Sequence, residues 1–261
     1  MKRYLALLRY LFSMHLTGLV LLTLCRIILY LQGFSLLADE PHWIRHSIQA
    51  FLRGIWMDNV IACYILIVPL IVTSVCASAG YYGKRLYRGI QAFFCLFYTV
   101  AFMIASGDIP YFDYFFKHLN ASIFNWAEYA GTTLGLMFGE FSYLMAVLLF
   151  VVMTLLYGIA ANSYLHTARR VFDRKTPNRW QSAAGIIGCS ALLIGGCLFG
   201  IRGRMGYNPI RVSAAYFCNN TFLNQLGVSS AFNLLKSAEE MQKAENREIH
   251  LMDDTDAIRY V

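Results

Sequence analysis

Long apolar stretches alternate with short polar gaps along this chain. Five stretches are long enough to cross a bilayer, because about 20 apolar residues in a helix span its hydrocarbon core. Inside that core every backbone N–H and C=O must be paired within the segment, which favours helices. The stretches cover residues 4–34, 60–79, 90–106, 143–163 and 183–201. The pattern therefore predicts an all-α membrane protein with five transmembrane helices.

Two of the gaps carry a pattern of their own. In the first, apolar residues recur at helical spacing, which predicts an interfacial helix lying along the membrane surface; they are Ile44, Ile48, Phe51, Leu52 and Ile55. The gap 107–142 is dense in Tyr, Phe and Trp, which favour the headgroup level. We expect this second gap to be an aromatic belt that anchors the bundle or the wall of a lipid site.

Composition and charge orient the predicted helices. The chain is 58% hydrophobic and only 14% charged, which argues against an ordinary soluble domain. Lys and Arg gather at the N-terminus and in the gaps 80–89 and 164–182, and short loops rich in these residues stay in the cytoplasm. We therefore expect the N-terminus inside and the C-terminus outside. The net charge of +7 is then a topology signal, and no nucleic-acid partner is expected.

The fifth stretch and the tail predict two further features. Small residues at Ala184, Gly188, Gly196 and Gly200 predict that the fifth helix packs closely against its neighbours. We divide the chain into a transmembrane domain, residues 1–201, and an extracytoplasmic juxtamembrane linker, residues 202–261. Within the linker, a possible serine cap predicts a helix at about 229–247.

The chain shows no recognisable catalytic or metal-binding motif. Its seven cysteines form no CxxC pair, and its six histidines have no metal-ligand spacing apart from His42 and His46, four residues apart. No nucleophile elbow or glycine-rich phosphate loop occurs either. We therefore expect no catalytic residue, metal or cofactor in this chain.

Charged residues at the predicted outer boundary are the remaining candidates for chemistry. An ionisable residue within a span indicates function by default, and arginines suit a lipid phosphate because the guanidinium offers paired donors. The acids could pair with those arginines or with an amine or hydroxyl headgroup. The alternative is snorkelling and internal ion pairing at helix ends. The six candidates for lipid-headgroup binding are Arg26, Asp58, Asp108, Glu140, Arg202 and Arg204.

Three sequence segments resemble one family. Gly54-Ile-Trp-Met-Asp58 precedes an apolar span, Arg202-Gly-Arg follows the fifth span, and the stretch 214–237 contains Asn-x-x-x-Asn-x-Leu and Phe-x-Leu-Leu-x-Ser. In these features the chain resembles the membrane domain of the lipoteichoic acid synthase and phosphoglycerol transferase family, which belongs to the alkaline phosphatase and sulfatase superfamily.

The resemblance implies a function and a location. Members carry five spanning helices, a linker and a large extracellular domain, in which a threonine nucleophile and a divalent metal transfer phosphoglycerol; related enzymes transfer phosphoethanolamine. No sequence like that catalytic domain is present here, so neither nucleophile nor metal ligands can be assigned. The resemblance implies a bacterial cytoplasmic (inner) membrane protein that holds a phospholipid at the outer leaflet and positions a sulfatase-like catalytic domain absent from this chain. Whether the chain itself belongs to an enzyme stays open.

Two other functions remain open on the sequence. A transporter-like module is one, although the odd number of spans and the few polar residues at mid-membrane depth argue against it. A structural membrane subunit without catalytic activity is the other.

Overall fold

The computed structural model describes residues 2–124, 135, 140–172 and 180–243. Within these residues five helices are long and apolar enough to cross a membrane, which confirms the predicted number of spans. They are α1 (Lys2–Gln32), α2 (Trp43–Ser78), α3 (Lys84–Phe115), α4 (Phe141–Phe172) and α5 (Trp180–Arg202).

Helix α1 has extensive contacts with three of the other spanning helices. It packs against α2, α3 and α4, while α5 packs along α2 and α4 along α3. Close approach is possible at Gly18, where a Cβ would overlap the ring of Tyr98. Tyr98 is fully buried and lies 4.8 Å from the ring of Tyr157 in α4. Aromatic packing of this kind holds α1, α3 and α4 together.

The helices α2 and α3 are longer than predicted. The expected surface helix around Ile44–Ile55 is not separate, because nothing interrupts α2 between Trp43 and Ser78. A helix of 36 residues is about 54 Å long, well beyond the thickness of a hydrocarbon core. The helix is therefore longer than a hydrocarbon core requires. Likewise, α3 continues through Pro110 to Phe115, so that residues 107–115 of the predicted aromatic gap are helical; Trp126 and Tyr129 lie outside the described residues.

The small residues of α5 do not make the predicted close contacts. A Cβ built at Gly188 or Gly196 would meet no atom within 4 Å. The exception is Gly200, where a Cβ would approach Cys63 Sγ to 2.5 Å. The prediction of a tightly packed fifth helix is therefore wrong over most of its length, because α5 contacts the bundle mainly through α2 and leaves its other faces open.

The segment 212–241, which we call the cap, folds back onto the end of the bundle where α1, α3 and α5 end. It contains a 3₁₀ helix (Val212–Ala215), α6 (Thr221–Leu226) and α7 (Ser230–Met241). Ser229 caps α7 by accepting a hydrogen bond from the Phe232 N–H, which confirms the predicted start of the tail helix. A second apolar cluster joins cap and bundle; it consists of Leu29, Leu37, Ala50, Phe112, Phe222, Leu223 and Leu226.

Candidate functional site

A buried ion pair lies between the membrane core and the cap. Arg26 of α1 donates from Nη2 to Asp58 Oδ2 of α2 at 2.6 Å, and the two residues are only 7% and 3% exposed. Asp58 was predicted to open the second span, but the greater length of α2 places it well inside a helix. A buried pair of this kind is stable only when further hydrogen bonds satisfy the remaining donors and acceptors.

Gly54 makes room for this pair. It precedes Asp58 by four residues, so both lie on the same face of α2. A Cβ at position 54 would overlap the guanidinium of Arg26. The motif Gly54-Ile-Trp-Met-Asp58 therefore supplies, one helical turn apart, the space for the arginine and its counter-ion.

A second buried pair lies on α3. His118, just after the helix, contacts Asp108 Oδ2 through Nδ1 at 2.6 Å, and its Nε2 contacts the backbone oxygen of Gln225 at 2.8 Å. A carbonyl only accepts hydrogen bonds, so Nε2 carries a proton, and a carboxylate oxygen favours a second proton on Nδ1. The other carboxylate oxygen of Asp108 accepts a hydrogen bond from the Leu119 N–H at 2.7 Å.

The charge of Asp108 sets the protonation of His118. Burial alone lowers the pKa of His118, but the neighbouring carboxylate and the two hydrogen bonds outweigh it and raise the pKa above its ordinary value of 6.5. The Asp108 carboxylate and the two hydrogen bonds therefore favour the protonated form of His118. With His118 protonated, the buried charged layer that consists of Arg26, Asp58, Asp108 and His118 contains two cations and two carboxylates, which balance in charge.

Both cations also bind backbone carbonyls of the cap. Arg26 Nη1 donates to the oxygens of Leu226 and Val228, the latter at 2.9 Å, and His118 reaches Gln225. The last carbonyls of a helix have no partner within it, and cations near them are favourable. The end of α6 is thus held by the two buried pairs.

The cap is also hydrogen-bonded to the bundle at a second place, beside α3. Asn233 of α7 donates from its side-chain amide to the Leu119 carbonyl at 2.9 Å. The Ala121 N–H in turn donates to Ser237 Oγ at 2.9 Å. These bonds fix α7 as well as α6 on the bundle.

A small cavity of about 30 Å³ separates the two ion pairs. Its wall includes the four charged residues and the first residues of α7. Arg26 Nε is buried there without a hydrogen-bond partner among the described residues. In the part of the chain that the structure describes, no group of three or more His, Cys, Asp or Glu could hold a metal ion; His46 is bonded instead to Glu40 at 3.0 Å.

The structure brings together three of the six predicted site residues. Arg26, Asp58 and Asp108 line the same cavity, whereas Glu140 and the two arginines after α5 are exposed and separate from it. Arg202 Nη2 donates to the carbonyls of Gly206 and Tyr207 at 2.5 and 2.7 Å. Arg204 has no hydrogen-bond partner among the described residues, and its guanidinium lies beside Gly206.

The motif residues of the tail have structural roles. Asn220 caps α6 by accepting from the Leu223 N–H at 3.0 Å. Asn224 accepts from the Phe217 and Cys218 N–H groups and donates to the Cys218 carbonyl. Together they shape the turn that precedes α6 and place its end over the two cations.

His118 is the residue that the sequence analysis missed. It lies ten positions after Asp108, in a gap read as aromatic, and no motif surrounds it. Its signal was a histidine close to an intramembrane acid, and its importance depends on Gln225, more than 100 residues away.

Comparison with known proteins gives no match to a family model, to a curated protein or to a solved structure.

Proposed function

We propose that this chain is the membrane domain of a phosphoglycerol- or phosphoethanolamine-type transferase of the sulfatase-like family. In this proposal it lies in the bacterial cytoplasmic membrane, with its N-terminus inside and the cap outside. It holds a phospholipid at the outer leaflet and positions a catalytic domain outside residues 1–261. The divalent metal belongs to that domain.

The observation that carries the proposal is the anchoring of the cap by buried charges. Four charged side chains within a membrane protein are costly, and here their hydrogen bonds fix α6 and the start of α7 on the bundle. A polypeptide leaving Met241 therefore starts from a defined place. This is the property needed to hold a catalytic domain at a fixed height over the membrane.

The fixed geometry also changes which arginine suits a lipid phosphate. Arg26 is engaged by Asp58 and by two carbonyls, so its role is to anchor the cap. Arg204 is exposed beside the end of α5 and keeps its donors for an anionic headgroup. In the proposed function, Arg204 rather than Arg26 therefore contacts the lipid phosphate.

A photo-crosslinking residue at Gln242, directly after α7, tests the positioning role. In the full protein in its own cells, we expect it to react with a sulfatase-type catalytic domain, on the same polypeptide or on a partner, identified by peptide mapping. The same residue at Arg85, in the first turn of α3 at the opposite end of the bundle, is the control. Equal reaction at both positions, or no reaction with such a domain, contradicts the proposal.

A measurement of the lipid that stays bound after purification tests whether the chain holds a phospholipid. Native mass spectrometry of the purified chain is expected to show bound phospholipid, and Arg204→Gln is expected to reduce anionic phospholipid severalfold, whereas Arg85→Gln leaves it unchanged. Absence of bound phospholipid overturns this part. Solute flux in vesicles that contain the chain would support the transporter-like alternative instead.

A further inference from the structure

A second, larger pocket opens between the ends of α1 and α3, outside the charged layer. Its volume is about 160 Å³, below the range of about 300–1,000 Å³ that takes drug-sized ligands. It therefore suits a headgroup of several heavy atoms rather than a whole lipid. The residues that matter for its chemistry are Phe112, Phe116, Phe222, Gln32, Ser35 and Asp113.

Three phenyl rings form the apolar part of the wall together with Leu29 and Leu36. Phe112 lies 5.6 Å from Phe116 and 6.3 Å from Phe222, with ring planes inclined by 44° and 58°. Rings at these angles enclose a concave surface instead of stacking flat. Phe222 belongs to the cap, and it can lie over the end of α1 because position 33 is a glycine, where a Cβ would overlap its ring.

Phe116 occupies its place at a conformational cost. Its φ of 53° is in the left-handed region, which is uncommon for a bulky residue and costs about 1–2 kcal/mol. The conformation ends α3, with the Phe116 N–H bonded to the Phe112 carbonyl at 2.8 Å. Glycine is the usual residue at this position after a helix, so a phenyl ring here is not explained by the needs of the helix end.

The polar part of the wall carries one charge, that of Asp113. Its carboxylate, the Gln32 amide and the Ser35 hydroxyl have no hydrogen-bond partner within the described ranges. Aromatic rings beside a carboxylate are the combination that binds an ammonium group, through cation–π attraction and ion pairing. A phosphate or another anion would be repelled by Asp113.

The position of the pocket indicates where the ammonium group comes from. It lies where two membrane-spanning helices end, and the neighbouring apolar side chains Leu31 and Phe115 are exposed. Acyl chains can therefore lie along α1 and α3 while a headgroup enters between them. We propose that this pocket binds the ammonium group of a phospholipid headgroup. The inference goes beyond the proposed function, since it requires only that the bundle is in a membrane.

The test compares lipids that differ in the headgroup. Native mass spectrometry of the full chain, with equal amounts of phosphatidylethanolamine and phosphatidylglycerol of matched acyl chains, is expected to show preferential binding of phosphatidylethanolamine. Asp113→Asn is expected to lower that preference about tenfold, corresponding to about 1.4 kcal/mol. Asp39→Asn, which removes another exposed acid at the same end of the bundle, is the matched control.

The variant Phe116→Gly distinguishes a loss of lipid binding from a loss of folding stability. Glycine relieves the left-handed conformation, so thermal stability is expected to stay the same or rise, while the preference for phosphatidylethanolamine falls. Equal binding of both lipids by the wild type, or an Asp113→Asn variant as selective as the wild type, overturns the proposal. Full displacement of the lipid by millimolar free ethanolamine overturns the lipid as the source and assigns the pocket to a soluble amine. None of these outcomes depends on Arg204 or on a catalytic domain.

Discussion

Two arginine sites at the same end of the bundle have opposite surroundings. Arg26 is buried, pairs with Asp58 and donates to two carbonyls of the cap. Arg202 ends α5 and Arg204 follows it; both are exposed, and among the described residues the Arg202 side chain donates to carbonyls of its own loop. The neighbouring side chains Met205 and Tyr207 are 90% and 96% exposed.

The difference shows that location near the membrane boundary does not decide what an arginine does. Arg26 has a carboxylate on the neighbouring helix, a glycine that leaves space and carbonyls without helical partners. Neither Arg202 nor Arg204 has a carboxylate partner among the described residues, and the carbonyls that Arg202 reaches belong to the loop that directly follows it. The first site therefore holds the protein together, and the second leaves donors available at the surface.

Removal of Arg26 should produce the largest effect. Arg26→Met leaves Asp58 buried without a counter-ion and the end of α6 without its donors, so we expect a loss of about 3–5 kcal/mol in the free energy of unfolding. Thermal unfolding in detergent, followed by tryptophan fluorescence, measures the change. Arg202→Gln is the matched control and should cost less than about 1 kcal/mol.

A double variant identifies the cause of that loss. Arg26→Met combined with Asp58→Leu removes the unpaired charge and should recover part of the stability lost in Arg26→Met. No recovery would mean that the bonds to the cap, rather than the ion pair, dominate.

Gly54→Ala should have an intermediate effect. The added methyl overlaps the guanidinium of Arg26, which is held by its own hydrogen bonds, so we expect a loss of about 1–3 kcal/mol. Gly196→Ala on α5 meets no atom within 4 Å and should be neutral or stabilise the helix by up to about 1 kcal/mol. The same unfolding measurement compares the two variants, and equal changes in stability would contradict the close packing at Gly54.

The smallest effect is the pH dependence of the cap. Because the folded state raises the pKa of His118 above 6.5, its contribution to stability is complete below the unfolded pKa and is lost as the pH rises through the folded pKa. The stability difference between wild type and His118→Asn should therefore shrink as the pH rises from about 6.5 through the raised pKa of His118. Hydrogen exchange of the α6 and α7 amides measures it locally. A difference that stays constant over this range would show that His118 does not lose its proton there.

Part of the candidate site could be predicted. Arg26 stood out because a charge within an apolar stretch is expensive and needs a reason, and Asp58 and Asp108 stood out because they lie at the predicted outer boundary. The sequence could not show that Glu140, Arg202 and Arg204 lie apart from them, since all six fall at one predicted level. Nor could it show His118, whose second partner, the Gln225 carbonyl, reaches it only when the cap folds back.

The sequence by itself determined the number of spanning helices, because the bilayer requires long apolar segments whose backbone bonds are local. It also determined the start of α7, because a serine cap is a local device. Only the tertiary structure decided the continuity of α2, the open faces of α5 and the use of Arg26 as an anchor. These three features depend on which helices contact each other and on where the cap places its carbonyls. Such contacts between distant residues leave no periodic signal along the chain.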